Sequence, residues 1–329
     1  LNGQALVEHA GEDVTVYGTV EPVQQSGRGA AEYLFDHYID AATVTFDDSG
    51  ASAVNVEEHR DEIEEHTSAD DVYERFYTSI SPQIHPTDRM ELAMKLVGAY
   101  LFGSPRIDPD GGPMYRGDIH LALIGDPGMA KSVLLAGAAE FSPDAEHRSA
   151  TGLSSDVGLI AAAVEDEFGE GGWSLRPGIL VRAGDHAIVD EIDKGPDKLE
   201  KINDALEGKQ IATIDKAGIK ANLKTRTGLL VSGNPKESRF DPNQPLAGQI
   251  DIEESLLSRF DAIVLLIDEP DAEQDRKVAD HITNAYMDGV ERVRDDGEIP
   301  EDSVTDRTVE PEVGRAWVKL GREIVPRIT

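Results

Sequence analysis

The segment "GDPGMAKS", residues 125–132, sets two glycines, a lysine and a serine between an apolar run and the helix-like stretch "VLLAGAAEF". The backbone of Gly125, Asp126, Pro127, Gly128, Met129, Ala130 and Lys131 can cradle phosphates. The Lys131 ammonium can reach the β and γ groups, and the Ser132 hydroxyl can ligand Mg²⁺. Phosphoryl transfer also needs a metal anchor and a group that orients the attacking water. The later segment "HAIVDEIDK" offers both, Asp190 to hold the Mg²⁺ shell and Glu191 to polarise water as general base. Taken alone, an apolar run ending in Asp-Glu is also an ordinary strand end; its position after a phosphate loop gives it weight. A third apolar run ends in "VSGNP", where Asn234 can hydrogen-bond the water or the γ-phosphate, or merely start an Asn-Pro turn. In "ESLLSRFD", Arg259 can form a surface ion pair with Asp261 or Glu254, worth little, or serve a neighbouring subunit as an arginine finger. Spacing leaves both readings open.

One position departs from the usual loop pattern G-x-x-x-x-G-K-[ST], because Ala130 stands where the second glycine belongs. The loop is expected to be turning into a helix there, a conformation that alanine tolerates better than any other residue.

Those groups must be positioned by strands and helices. The runs "GDHAIVDE", "TGLLVSGN" and "DAIVLLID" read as strands buried on both faces, and they alternate with helical segments such as "PDKLEKINDALEG" and "DAEQDRKVADHITNAYMDGVERV". That alternation implies an α/β fold with a parallel sheet flanked by helices. Upstream, "DVYERFYTSISPQI" and "DRMELAMKLVGAYLFG" have helical spacing and are stopped by Pro82 and Gly103. Residues 1–47 alternate as strands do, in "EDVTVYGTV" and "AATVTFDD", and are expected to be the end of a β-rich module. Residues 48–71 are acidic and polar, and read as a linker. Past Val293, an acidic loop leads to one more helix, "VGRAWVKLGREIV". The chain opens on Leu1 in mid-pattern, as a fragment would, with no signal-peptide pattern.

The 329 residues carry a formal net charge of −33 and no cysteine, which excludes disulfides and thiolate metal sites within them. No apolar run approaches the roughly 18 residues of a membrane span. The acidic composition suits a hydrated surface in concentrated salt, and it would argue against a nucleic-acid partner were the cations evenly spread. They are not. Eight of the twelve lysines fall between Lys194 and Lys236, and residues 208–239 hold seven cations against Asp215 and Glu237, a local excess of five. His120, in an apolar strand, and His186, before another, have no metal-ligand spacing around them and are expected to pack or face solvent.

In this order and spacing, "GDPGMAKS", "VDEIDK", "GNP" and "LLSRFD" resemble the AAA+ motor of the minichromosome maintenance (MCM) replicative helicases, many of which carry alanine before the loop lysine. The resemblance runs from about Val72 to Asp288. It extends loosely through the β-rich start, which is similar to the end of the family's OB-fold region. "DKAGIKANLKTRT" is similar to the pre-sensor hairpin whose lysine contacts DNA in the ring channel, and residues 151–191 are similar to the helix-2 insertion. The resemblance implies an AAA+ P-loop NTPase core over 72–268 and the start of a helical lid over 269–329. It implies ATP and Mg²⁺ as cofactors and single-stranded DNA in the channel of a homo-oligomer, a hexamer, with replication factors as further partners. The location it implies is cytoplasmic and nucleoid-associated, and with the acidic composition it suggests a halophilic archaeal type. On the same basis Lys131 and Ser132 belong to Walker A, Asp190 and Glu191 to Walker B, Asn234 to sensor 1 and Arg259 to the finger acting in trans. Lys216 matches the hairpin lysine, with Lys220 and Lys224 beside it. Met129 in place of the common threonine, and His85-Pro86 in place of a glycine turn, mark a divergent member but remove no catalytic group. Two alternatives remain: a remodelling ATPase of the magnesium-chelatase or MoxR kind, and a DNA-binding paralogue that holds ATP without turnover.

Overall fold

The computed structural model describes residues 13–24, 35–47, 54–107, 115–152, 158–165, 173–195, 200–207, 211–216, 219–250, 252, 254–294 and 303–324. The strands are β1 (Asp13–Gln24), β2 (Phe35–Asp47), β3 (Leu121–Gly125), β4 (Ala145–Ser149), β5 (Ala161–Glu165) and β6 (Trp173–Pro177), followed by β7 (His186–Asp190), β8 (Ile211–Lys216), β9 (Ile219–Lys224), β10 (Gly228–Gly233) and β11 (Ala262–Leu266). Five of them form one sheet in the order β11-β3-β10-β7-β4, with every neighbouring pair parallel. The expected α/β class with a parallel sheet is therefore what the chain adopts. The other strands pair as antiparallel ribbons, β1 with β2, β5 with β6 and β8 with β9.

Alternation along the central strands divides the interior in two. Leu121 and Leu123 of β3 pack into one cluster, and Ala122 and Ile124 into the other, because successive side chains leave a strand on opposite faces. The first cluster is closed by the helices Val72–Ile80, Asp88–Phe102, Lys131–Phe141 and Pro311–Glu323. Phe76 sits at its centre, 4.7 Å from the ring of Phe102, 5.3 Å from Trp317 and 5.7 Å from Phe141. Burying each large apolar side chain of this kind contributes roughly 1.5–3 kcal/mol. Gly314 lets the last helix approach, since a Cβ there would lie 2.4 Å from the Phe141 ring. The second cluster is closed by Ile179, Leu180, Ile202, Leu206 and Leu223.

Two elements are not announced by apolar runs in the sequence. Within the acidic stretch read as a linker, Arg60–Thr67 is a helix. Its acidic residues are exposed, but Ile63 is buried in the first cluster and His66 stacks on Trp317, so a single apolar contact per turn suffices to seat it. The edge strand β4, "AEHRS", has no apolar run, because its side chains run from half-buried to exposed. The helix Asp88–Phe102 ends at Gly103, whose φ of +53° and ψ of −143° form a backbone conformation open to glycine. The β1–β2 ribbon has a register shift between Tyr17 and Gly18, and residues 1–12 and 25–34 of the same stretch lie outside the described residues. No helix among the described residues is long and apolar enough to cross a membrane.

Candidate active site

The carboxyl ends of β3, β7 and β10 lie side by side, and each releases one of the expected groups. After β3 comes the loop 125–130 and then the helix Lys131–Phe141. Gly125 is required where the loop begins, because a Cβ would stand 2.6 Å from both the Cβ and the carbonyl oxygen of Leu266 on β11. Gly128 has φ +85° and open space where a Cβ would be. Ala130, the residue before the helix, also lies in the left-handed region, with φ 49° and ψ 19°. The expectation of a helical Ala130 is therefore wrong. The loop enters its helix through a left-handed residue, and alanine accepts a cost of about 1–2 kcal/mol there that glycine avoids. Ala130 has no side chain that can cap the helix, and no side-chain cap is made. The first helical amides consequently have no acceptor within the helix, an arrangement that suits an anion.

Lys131 is buried, and its ammonium donates to the carbonyl oxygens of Gly125 at 2.7 Å and Asp126 at 2.9 Å and to Asn234 Oδ1 at 3.1 Å. Burial lowers its pKa, while the carboxylates of Asp193, Asp190 and Asp126 oppose that shift. Ser132 begins the exposed side of the same helix turn. Asp126 plays a different part from the one expected of a loop residue. Its carboxylate is buried and accepts the amides of Phe240 at 2.7 Å and Asp268 at 2.8 Å, so it fastens the loop to two neighbouring segments.

At the end of β7, Asp190 Oδ1 accepts the Ser232 hydroxyl and, at 2.9 Å, the amide of Glu191. Glu191 is held with φ 57°, again left-handed. Its carboxylate accepts from Lys194 and, at 3.1 Å, from the Ser149 hydroxyl on β4. Those two hydrogen bonds, Lys194 first, lower its pKa and keep it ionised. At the end of β10, Asn234 is fixed by Asp193, which accepts its backbone amide at 3.0 Å and its side-chain amide at 3.3 Å. With Asn234 Nδ2 donating to Asp193 and Oδ1 accepting from Lys131, the orientation of the side chain is determined. Asp193, Ser149, Lys194 and Ser232 are site residues that the sequence reading missed. Only Asp193 and Lys194 left a trace, as the "DK" after "VDEI", and nothing in the sequence distinguished it from a turn.

Arg259 is elsewhere. It follows the short helix Glu254–Leu257 and precedes β11, which runs parallel to β3 with Ala262 opposite Leu121 and Leu266 opposite Gly125. The arginine therefore lies at the amino end of the sheet and the phosphate loop at the carboxyl end, separated by at least about 16 Å of strand. It is remote from the loop of its own chain. Its guanidinium donates to Glu207 at 2.7 Å, and it is Arg116, not Arg259, that pairs with Asp261, at 2.9 Å and 3.0 Å. The expected partners Asp261 and Glu254 are thus replaced by Glu207.

The β8–β9 ribbon carries the expected basic residues Lys216, Lys220 and Lys224. Register pairs Lys216 with Ile219, Lys220 with Asp215 and Lys224 with Ile211, and it pairs Ala212 with Leu223, both of them buried. Lys216 ends β8 and Ile219 begins β9. His120 and His186 are both fully buried. His120 Nδ1 accepts the Leu229 amide at 3.1 Å, and His186 pairs through Nδ1 with the Ser142 hydroxyl at 2.6 Å, so both serve packing.

The donor set fits Mg-ATP. The uncapped helix start after Ala130 and the buried Lys131 ammonium suit polyphosphate, while the oxygens of Ser132 and Asp190 are the hard ligands that Mg²⁺ prefers.

Comparison with known proteins identifies the family. Residues 59–286 match the family model described as the MCM P-loop domain. The minichromosome maintenance protein MCM of Saccharolobus solfataricus is 35% identical over 287 residues, covering 85% of this chain and 41% of that protein. The DNA replication licensing factor MCM4 of Arabidopsis thaliana is 36% identical, covering 73% and 28%. The licensing factor mcm7 of Xenopus tropicalis is 35% identical, covering 84% and 38%. The chain thus spans well under half the length of these relatives. With a family match over most of its length and a phosphate loop, an acidic strand end and a fixed asparagine converging at one sheet edge, the chain belongs to the MCM family.

Proposed function

We propose that the chain is the ATP-hydrolysing motor of an MCM-type DNA helicase, working as a homo-oligomeric ring, a hexamer, that moves along DNA during replication. Residues 72–268 serve as its AAA+ core and 269–329 as the start of its lid, with residues 1–47 as the end of an OB-like module. The observation that carries this reading is the chain of contacts Lys131–Asn234–Asp193, which joins the phosphate loop to the ends of β10 and β7. The names of the relatives, a minichromosome maintenance protein and DNA replication licensing factors, support replication as the setting.

In this reading the loop 125–132 binds the triphosphate, and Lys131 leaves its loop carbonyls to meet the β and γ groups. Ser132 and Asp190 hold Mg²⁺, which neutralises phosphate charge when bound. Glu191, ionised, accepts the proton of the attacking water, and Asn234 fixes that water or the γ-phosphate. Arg259, remote from its own loop, completes the site of the adjoining subunit. The lysines of the β8–β9 ribbon follow DNA phosphates, which bind without reading sequence.

The test is ATP hydrolysis with and without single-stranded DNA, for the wild type and Glu191→Gln. We expect DNA to stimulate the wild type, and the variant to lose about 10²-fold or more in both conditions. Turnover indifferent to DNA would point instead to a remodelling ATPase, and no turnover in the wild type to an inert DNA-binding paralogue.

A further inference from the structure

The amino end of the sheet holds a second polar network that the hydrolytic site does not use. Arg116, just ahead of β3, donates to three residues on two segments: to the Leu206 carbonyl oxygen at 2.8 Å, to the Arg259 carbonyl oxygen at 3.3 Å, and to both oxygens of Asp261. Leu206 ends the helix Glu200–Leu206, and Glu207 follows it four residues before β8 begins. That helix is joined to the arginine-bearing segment twice, by Asn203 donating to Ser255 at 3.0 Å and by Arg259 donating to Glu207 at 2.7 Å. The helix is in turn seated on the base of the β8–β9 ribbon, since Leu206 shares a buried cluster with Ala212 and Leu223 and the Thr225 hydroxyl, just after β9, donates to the Ala205 carbonyl oxygen at 2.7 Å. The fastening at Arg259 is incomplete, because its Nε is buried with no hydrogen-bond partner. The Glu207 side chain is about half exposed, at 52%, so the pair is reached by solvent and is weak.

We propose that Glu207 is a positioning residue that parks Arg259 between turnovers, and that exchange of Arg259 from Glu207 to a neighbour's nucleotide frees the root of the ribbon. The inference rests on the reading of Arg259 as a finger acting in trans. A guanidinium with an unused donor binds a polyphosphate better than one exposed carboxylate, so a filled neighbouring site draws it away. Arg116 keeps the Arg259 backbone in place meanwhile, so only the side chain has to move. Coupling of this kind is reciprocal. DNA that displaces the ribbon root pulls Glu207 from Arg259 and releases the finger, and hydrolysis accelerates.

The experiment measures ATP hydrolysis by the full chain with and without single-stranded DNA, for the wild type, Glu207→Gln, Glu207→Asp and Arg259→Ala. We expect Glu207→Gln to raise the DNA-free rate roughly two- to fivefold, the range that loss of an exposed ion pair supplies, and to reduce the stimulation ratio by the same factor. Glu207→Asp, which keeps the charge, should restore part of that ratio, a recovery that a merely structural role for Glu207 would not give. Arg259→Ala should abolish hydrolysis in both conditions. If Glu207→Gln leaves the ratio unchanged while Arg259→Ala is inactive, the parking role is wrong and the finger reading stands. If Arg259→Ala hydrolyses ATP like the wild type, the finger reading fails and takes the parking role with it.

Discussion

Ala130 shows how a single residue can be right for a reason its sequence context does not display. Alanine is the best helix former, yet here it precedes the helix with φ 49°, in the region that L-residues enter at a cost. Substituting Ala130→Gly removes that cost and adds flexibility to the unfolded chain, and the first effect is the larger. We expect the variant to be more stable by up to about 1 kcal/mol, read as a higher urea midpoint at unchanged slope. A lower midpoint would mean that the alanine methyl makes a contact worth more than the backbone relief. Glu191 has a related strain, with φ 57° held by Asp190 and Ser232 on its amide and by Lys194 and Ser149 on its carboxylate. Residue types announced what each of these groups could do. Their partners were illegible, since Ser149 and Ser232 lie 42 and 41 positions from Glu191 and are brought to it by parallel strand pairing.

Among the elements, the sheet places its working groups by direction alone. Parallel strands deliver the phosphate loop, Asp190 and Asn234 to one edge, and the segment before β11 delivers Arg259 to the other. The ribbon β8–β9 rises beside this sheet from Ala212 and Leu223, which are buried in the second cluster. Its register pairs Lys216 with Ile219, Lys220 with Asp215 and Lys224 with Ile211. For a lysine that binds a single-strand phosphate, its loss should flatten the plot of log affinity against log salt by roughly 0.7 per contact, with little dependence on sequence. We expect Lys216→Ala, at the end of β8, to have this effect. Equal slopes for the wild type and variant would remove Lys216 from the interface.

Across the whole molecule, charge and buried histidines set the response to solvent. Burial holds the pKa of His120 down to about 4, and Arg116 acts in the same direction; His186 is pushed well below its ordinary value, again chiefly by burial. A depressed histidine contributes its full stability above the unfolded value near 6.5, and loses it as pH falls toward the folded value. Below pH 6.5 the unfolded chain takes up a proton that the folded chain refuses, and His120 alone should cost about 3 kcal/mol by pH 4. Urea midpoints measured from pH 7 to 4.5 should fall across this window, before most carboxylates titrate. A flat profile would mean that His120 opens to solvent. The net charge of −33 opposes compactness through self-repulsion, and salt screens it, with a screening length of about 10 Å at 0.1 M and 3 Å at 1 M. Thermal midpoints should therefore rise with added potassium chloride, and an unchanged midpoint would show that local ion pairs already neutralise the surface.

The sequence by itself determined the class of fold and offered the residue types on which the proposed chemistry rests. Apolar runs alternating with helical segments fixed a parallel sheet, and the ends of those runs carried the lysine, carboxylates and asparagine in order. Periodicity and residue type are local properties, so they could be read along the chain. Tertiary structure decided what depends on distance in space. It turned Asp126 inward as a fastener, made a packed helix of Arg60–Thr67, put β4 at the sheet edge without an apolar run, and gave Arg259 to Glu207 instead of Asp261. Each of these outcomes was set by which segments the sheet order and the two buried clusters bring together, a choice that no short stretch of residues encodes.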